Sequence, residues 1–185
     1  MTQARVLGCA ALVAVFAVDQ ATKFAVVHGF VAQGQPPLFL TPFLDLTLEW
    51  NRGISFSLLP QDTSKGIWLL LGFTLAATAL LGVWLWRTRA PLVGLGLGAI
   101  IGGALGNACD RWAYGAVVDF LDLHAFDRHF FVFNVADAAI NIGVALLIFD
   151  GLFSSGEKRS KRTDGPLGGD PLSPRERASG GSDPP

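Results

Sequence analysis

Residues 1–153 of the chain consist of long apolar runs with more polar segments between them. Four of these runs approach the roughly 20 residues that a helix needs to cross a hydrocarbon core. They cover residues 6–27, 66–86, 92–109 and 130–149. The pattern predicts an all-α membrane protein, a bundle of four transmembrane helices.

The segment between the first two predicted helices has a different period. From Leu44 to Leu48 a leucine stands at every second position, and Asp45, Thr47 and Glu49 lie between and after them. This alternation is typical of a strand with one buried face. We therefore expect a small extracytoplasmic β-sheet between helices 1 and 2, at residues 38–60. A second outer segment, residues 111–129, could close over a functional site as a mobile lid.

The end of the chain is rich in glycine, proline, serine and charge. Such a composition does not bury enough apolar surface to offset the entropy of ordering. We expect residues 1–153 to form the membrane domain and residues 154–185 to form a disordered cytoplasmic tail.

Basic residues near the helix ends predict the orientation, because lysine and arginine concentrate on the cytoplasmic side. With four spans they all fall on one side: Arg5, Arg87, Arg89, Lys158, Arg159, Lys161 and Arg162. Both termini are therefore expected to be cytoplasmic. Most of the acidic residues then lie at the outer face.

Composition excludes several kinds of function. Hydrophobic residues make up 51% of the chain, and 14 basic residues stand against 15 acidic ones. Without a clustered basic surface, nucleic acid is not an expected partner. Cys9 and Cys109 lie in apolar runs, and no metal-ligand spacing is found. We expect neither a metal nor a cofactor.

Polar side chains at membrane depth are costly and usually point into a bundle. Ten of them fall near the predicted outer boundary: Asp19, Lys23, Asn51, Arg52, Asn107, Asp110, Arg111, Asp119, Asn134 and Asp137. Several have structural explanations. Asp19 and Lys23 have the spacing of a helical ion pair, and Asn134 or Asp137 suits a helix cap.

Structural roles are also expected for other charged residues. Arg111 is suited to clamping a neighbouring carboxylate through paired hydrogen bonds. Asp122 and Asp127 are interpreted as solvated loop charges. No role is assigned to the three histidines, because they follow no nucleophile or metal pattern.

Asp119 and Asp137 lie on the same predicted side of the membrane, each in an apolar setting. Two carboxyl groups close together in a dry site do not both ionise easily, so one keeps a proton while the other acts as a base. Such a pair suits water-driven peptide hydrolysis. It also suits a proton or ion transporter, and a purely structural scaffold is the third alternative.

Four sequence blocks together resemble those of lipoprotein signal peptidase, the type II signal peptidase family. They are DQATK at 19–23, EWNRGISFSLL at 49–59, GGALGNACDRWAYGAVVDF at 102–120 and FNVADAAINIG at 133–143. The resemblance implies four transmembrane helices and an aspartic dyad at the outer membrane face. It also implies cleavage of prolipoprotein signal peptides before a diacylglyceryl-modified cysteine, by a monomer in contact with membrane lipids.

The resemblance also assigns residues. Asp119 and Asp137 match the dyad, with Asp110 as the alternative to Asp119. Further positions match residues that shape the site or hold substrate, namely Asp19, Asn51, Gly103, Asn107, Arg111 and Asn134; Lys23 and Arg52 lie beside them in the same blocks. Ala138 departs from the family pattern, in which a serine often follows the motif aspartate.

Overall fold

The computed structural model describes residues 1–31, 37–53, 64–126 and 128–163. Met1–Gly151 forms one compact unit, and the chain from Leu152 belongs to a second unit. The elements in chain order are α1 (Gln3–Ala25), a π-helical segment (Val26–Val31), β1 (Leu38–Thr41), β2 (Leu44–Asn51), α2 (Ser64–Arg87), α3 (Pro91–Tyr114), β3 (Val117–Ala125), β4 (Arg128–Phe133) and α4 (Val135–Thr163).

Four helical segments in the described part are long and apolar enough to cross a membrane: Gln3–Gly29, Gly66–Arg87, Pro91–Tyr114 and Val135–Phe153. The predicted four-span architecture is therefore confirmed. The start of the fourth span differs from the predicted residue 130, because the FFVF sequence at residues 130–133 lies in β4. Aromatic and β-branched residues favour a strand, and these pair with β3.

Helix α3 lies at the centre of the bundle. Of its apolar window 67% is buried, compared with 17% or less for each of the other three spans. Close approach requires its glycines: a Cβ on Gly103 would lie 2.5 Å from the carbonyl oxygen of Ala136 in α4. Small residues permit such backbone contact between membrane helices, as the glycine content of α3 predicts.

The sheet is antiparallel, with strand order β1-β2-β3-β4. The β1–β2 hairpin confirms the sheet that was predicted between helices 1 and 2, although residues 54–60 lie outside the described residues. The sheet is larger than predicted, since β3 and β4 complete it. Val118 and Phe120 of β3 pack with Val26, next to α1, which attaches the sheet to the bundle.

Parts of two segments for which mobility was considered have regular secondary structure. Residues 117–125, within the considered lid, form β3, an inner strand that pairs with both β2 and β4; lid motion of residues 111–129 stays a prediction. The alternating apolar residues of β3 are buried in that position. The tail was expected to be disordered from residue 154, but α4 continues to Thr163, because no proline interrupts the sequence before Pro166. Residues 164–185 lie outside the described residues.

Candidate active site

The carboxyl groups of Asp119 and Asp137 line one cavity of about 630 Å³. Asp119 comes from β3, and Asp137 from the first turn of α4. One residue connects them, since Asn134 donates from its side-chain Nδ2 to Asp119 Oδ1 at 2.6 Å and from its backbone N–H to Asp137 Oδ2 at 3.2 Å. The structure thus brings these two acids to one site.

Asp119 is almost entirely buried, with 2% of its surface exposed. Its second oxygen, Oδ2, accepts a hydrogen bond from Asn51 Nδ2 at 2.9 Å. Burial raises the pKa of Asp119 to about 6; the Asn51 hydrogen bond opposes this rise, and the negative charge of Asp137 adds to it. A carboxyl group with this pKa can either hold or release a proton near neutral pH.

Asp137 has a structural role as well as a place in the cavity. Asn134 Oδ1 accepts from the Asp137 backbone N–H at 2.9 Å, and Asp137 Oδ2 accepts from the Asn134 backbone N–H. This reciprocal pair is a capping box at the start of α4. The expected cap is thus observed, and both residues contribute to it. Asp137 Oδ1 also accepts a hydrogen bond from Asn107 Nδ2 at 2.8 Å.

Asp19, Lys23 and Asp110 form a separate buried cluster between α1 and α3. The Lys23 ammonium lies 2.9 Å from Asp19 Oδ2 and 2.7 Å from Asp110 Oδ2. The predicted Asp19–Lys23 pair is therefore confirmed, and Asp110 joins it. Asp110 also accepts from Gln20 Nε2 and from the Val118 backbone N–H.

These contacts bear on the choice between Asp110 and Asp119. Asp110 is compensated by a cation, both of its oxygens are engaged, and it is not among the residues that line the 630 Å³ cavity. Asp119 lines the cavity, and its hydrogen bonds in the described part of the chain come from neutral amides. The geometry favours Asp119 as the partner of Asp137.

The expected clamp between Arg111 and a carboxylate is wrong. In the described part of the chain Arg111 forms no ion pair within 4.0 Å; its Nη1 donates to the Asn107 carbonyl oxygen at 3.3 Å, and its Nε is buried without a hydrogen-bond partner. The reason is helical geometry, since consecutive residues point in different directions. Asp110 faces Lys23, which leaves the Arg111 guanidinium with spare donors.

Two further residues of the predicted set have different positions. Gly103 permits the α3–α4 contact beside the site. Arg52 follows β2 with an exposed side chain, and it is not among the cavity-lining residues. The structure therefore does not bring Arg52 into the cavity.

The interpretation of Asp122 as a solvated charge is also wrong. Asp122 is buried and lies 2.6 Å from His129 Nδ1, while its cross-strand neighbour Asp45 lies 3.2 Å from His124 Nε2. Cross-strand pairing creates this burial and is not readable from local sequence. Asp127 lies outside the described residues.

Sequence reasoning also missed Gln20, which follows Asp19 directly. Its Nε2 lies within hydrogen-bond distance of Asp19 Oδ2, the Gly106 carbonyl oxygen and Asp110 Oδ1. Its intramembrane position next to a charged residue was the available signal. Among the described residues, no group of three or more His, Cys, Asp or Glu side chains is placed to hold a metal ion.

Comparisons with known proteins give a consistent result. The family described as Signal peptidase (SPase) II matches residues 11–153. A lipoprotein signal peptidase from Methylocella silvestris is 48% identical over 151 residues, covering 82% of this chain and 88% of that protein. One from Rhodopseudomonas palustris is 44% identical over 156 residues, covering 82% of this chain and 94% of that protein.

Solved structures agree with the fold. A bacterial membrane enzyme solved by the in meso method at 2.3 Å resolution is similar with a TM-score of 0.68 and 26% identity, over 82% of this chain and 90% of that chain. A second, solved at 1.9 Å resolution, has a TM-score of 0.66 and 27% identity, over 78% of this chain and 92% of that chain.

Proposed function

Because this chain belongs to the signal peptidase II family, it is a membrane protease that removes signal peptides from prolipoproteins, and we propose that it does so with Asp119 and Asp137 as an aspartic dyad. The observation that carries this proposal is the shared Asn134, which donates to both carboxyl groups at one cavity. No serine or cysteine nucleophile is required in such a mechanism.

The two carboxyl groups have different roles in this proposal. Asp119 keeps the proton, because burial raises its pKa to about 6 and the entering peptide displaces further water. Asp137 is the base, because the Asn134 backbone N–H and the Asn107 amide both donate to its carboxylate and the start of α4 carries a partial positive charge. One acid and one base are thus available in the same cavity.

Hydrolysis then proceeds in two steps. Asp137 accepts a proton from a water molecule, whose oxygen attacks the carbonyl carbon of the residue before the cysteine, while Asp119 passes its proton to the carbonyl oxygen. A tetrahedral diol forms. Asp137 then gives its proton to the amide nitrogen, a diol hydroxyl returns a proton to Asp119, and the C–N bond breaks. The products are the signal peptide with a new C-terminal carboxyl group and the free amino group of the cysteine.

Arg111 has a supporting role in this mechanism. Its guanidinium has spare donors, and its charge interacts with the charges of Asp119 and Asp137. A fixed cation near a site of developing negative charge stabilises the transition state. We assign Arg111 this electrostatic role, in place of the carboxylate clamp that the sequence suggested.

The cavity also suits a lipid-modified substrate. Phe131, Phe133 and Ile140 line it beside the two acids, which provides an apolar wall at the start of the fourth span. A diacylglyceryl cysteine can place its acyl chains in hydrocarbon there while its peptide lies against the sheet. We propose that this face is extracytoplasmic in the bacterial inner membrane, that both termini are cytoplasmic, and that the enzyme acts as a monomer.

Cleavage of a synthetic diacylglyceryl-cysteine peptide by the purified protein tests the dyad. Asp119→Asn and Asp137→Asn are each expected to lower kcat by roughly a thousandfold, because each removes a proton-transfer group. Product formation is measured by mass spectrometry, with thermal unfolding as the check on folding. Wild-type cleavage by either variant would remove that residue from the dyad.

The matched control is Asp122→Asn. Asp122 lies on the same strand as Asp119 and is also buried, but it does not line the cavity. We expect its kcat to stay within about threefold of wild type, as for other substitutions away from the reacting groups. The same peptide with an unmodified cysteine tests the lipid requirement; equal cleavage of both peptides would contradict it.

A further inference from the structure

We propose that Lys23 is a positioning residue for hydrolysis, whose ammonium group fixes the Asn107 amide so that this amide donates to Asp137. The inference rests on the proposed dyad, because Asp137 must act there as an anion. It assigns the buried ion cluster a role in the reaction in addition to its role in packing α1 against α3.

The contacts of Lys23 carry this inference. Its side chain is 4% exposed, and three acceptors surround its ammonium group: Asp19 Oδ2 at 2.9 Å, Asp110 Oδ2 at 2.7 Å and Asn107 Oδ1 at 2.8 Å. An ammonium group has three donors and no acceptor. All three donors are therefore used, and one is directed at Asn107.

This contact determines which way the Asn107 amide points. Because Lys23 can only donate, the Asn107 oxygen must face it; the same oxygen also accepts from Asn134 Nδ2 at 3.1 Å. Asn107 Nδ2 consequently faces Asp137 Oδ1, at 2.8 Å. A chain of hydrogen bonds thus runs from a cation through a polarised amide to Asp137, and such chains strengthen each member.

Loss of the ammonium group would free the amide to rotate. Asn107 could then present its oxygen to Asp137, which would require a protonated Asp137 and would disable the base. The positive charge also acts at a distance, since Lys23 lowers the pKa of Asp119. The other charged side chains around this site in the described part of the chain are Asp19, Asp110, Arg111, Asp119 and Asp137.

Lys23→Met tests the inference, because methionine has a long side chain but no donor. We expect kcat to fall roughly tenfold with KM within about threefold of wild type, and the optimum of kcat/KM to move to higher pH by about one unit. The optimum moves to higher pH because loss of a nearby cation favours protonated carboxyl groups. Infrared spectra should show more protonated carboxyl at a given pH, assigned by comparison with Asp137→Asn.

Asp19→Asn is the matched control, since it weakens the same ion cluster but leaves the Lys23–Asn107 hydrogen bond. Under the proposal its pH optimum does not move upward. If both variants lose thermal stability and neither shifts the pH optimum, Lys23 is structural and the inference is wrong. Normal cleavage by Asp137→Asn would instead refute the dyad itself, so the two failures are distinguishable.

A double variant covers the case in which Lys23→Met does not fold. Lys23→Met/Asp110→Asn removes a cation together with an anion, so that no additional buried charge is left without compensation. The amide of Asn107 is still unfixed in this variant, so the roughly tenfold loss in kcat should persist, whereas wild-type kcat would overturn the inference.

Discussion

Two pairs of aspartates lie near the same end of the bundle, and their surroundings differ. Asp19 and Asp110 share the Lys23 ammonium group between them. Within the described residues, Asp119 and Asp137 accept hydrogen bonds from neutral side-chain amides and from the Asn134 backbone N–H, and they line a cavity. Burial is similar for Asp110 and Asp119, at 2% exposure each. Charge compensation and access therefore distinguish Asp110 from Asp119, whereas depth does not.

A neighbouring cation decides whether an acid at membrane depth can change its protonation state. A carboxylate that is neutralised by a cation gains nothing from binding a proton, so it serves as a fixed part of the scaffold. A carboxyl group held only by amides can change its protonation state at modest cost. The first pair is accordingly expected to govern folding, and the second to govern chemistry.

The largest expected effect outside the dyad is on stability. Asp110→Asn removes the charge from an acceptor of both the Lys23 ammonium group and the Val118 backbone N–H. Since hydrogen bonds to charged groups are the stronger ones, we expect a loss of about 3 kcal/mol in unfolding free energy. Thermal unfolding in detergent measures it. Per folded molecule, kcat should remain within about threefold of wild type. A stable variant without activity would place Asp110 in the chemistry and break the comparison.

The sequence predicted the parts of this arrangement that depend on local pattern. The four spans follow from the length of the apolar runs, and the Asp19–Lys23 pair follows from helical spacing. The division of residues 130–149 into β4 and α4 did not follow, because a short apolar run such as FFVF fits a strand or a helix.

The remaining differences arise from long-range contacts. Asp122 becomes buried through the pairing of β3 with β2, where Asp45 is its neighbour. Among the described residues Arg111 has no ion pair within 4.0 Å, because Asp110 turns towards Lys23 of α1. Neither contact is encoded in neighbouring residues. The sequence thus supplied the members of the candidate site, while the tertiary fold determines which acids are compensated.

The next largest effect concerns the packing of α3 against Asp19 of α1. A Cβ on Gly106 would collide with Asp19 Oδ2, so Gly106→Ala is expected to cost about 2 kcal/mol in unfolding free energy. Gly82→Ala in α2 is the control, since nothing lies within 4 Å of its added Cβ. Equal stability of the two variants in thermal unfolding would show that this contact does not hold Asp19 in place.

The smallest expected effect is the pH dependence of stability that Asp119 contributes. Its pKa rises on folding from 3.8 to about 6, so the native state binds this proton more tightly than the unfolded state. The resulting stability is fully present below pH 3.8 and is lost as pH rises through about 6. With allowance for water in the cavity, we expect about 1 kcal/mol.

Asp119→Asn isolates this contribution. Unfolding free energies of wild type and variant are measured in detergent at pH 4 and pH 7. The unfolding free energy of the variant, relative to that of wild type, should be higher at pH 7 than at pH 4 by about 1 kcal/mol. A difference that is independent of pH would mean that Asp119 titrates as an ordinary exposed carboxyl group, like an acid outside the cavity.

The most direct test of Asp119 and Asp137 as the dyad is a binding measurement. The ligand is a diacylglyceryl-cysteine peptide in which a hydroxymethylene group replaces the scissile amide. This hydroxyl resembles the tetrahedral intermediate between the two carboxyl groups, so wild type should bind it at least about 100-fold more tightly than the amide peptide. The account predicts that this preference disappears in Asp119→Asn and Asp137→Asn and persists in folded Asp110→Asn. A preference that survives in both dyad variants would contradict it.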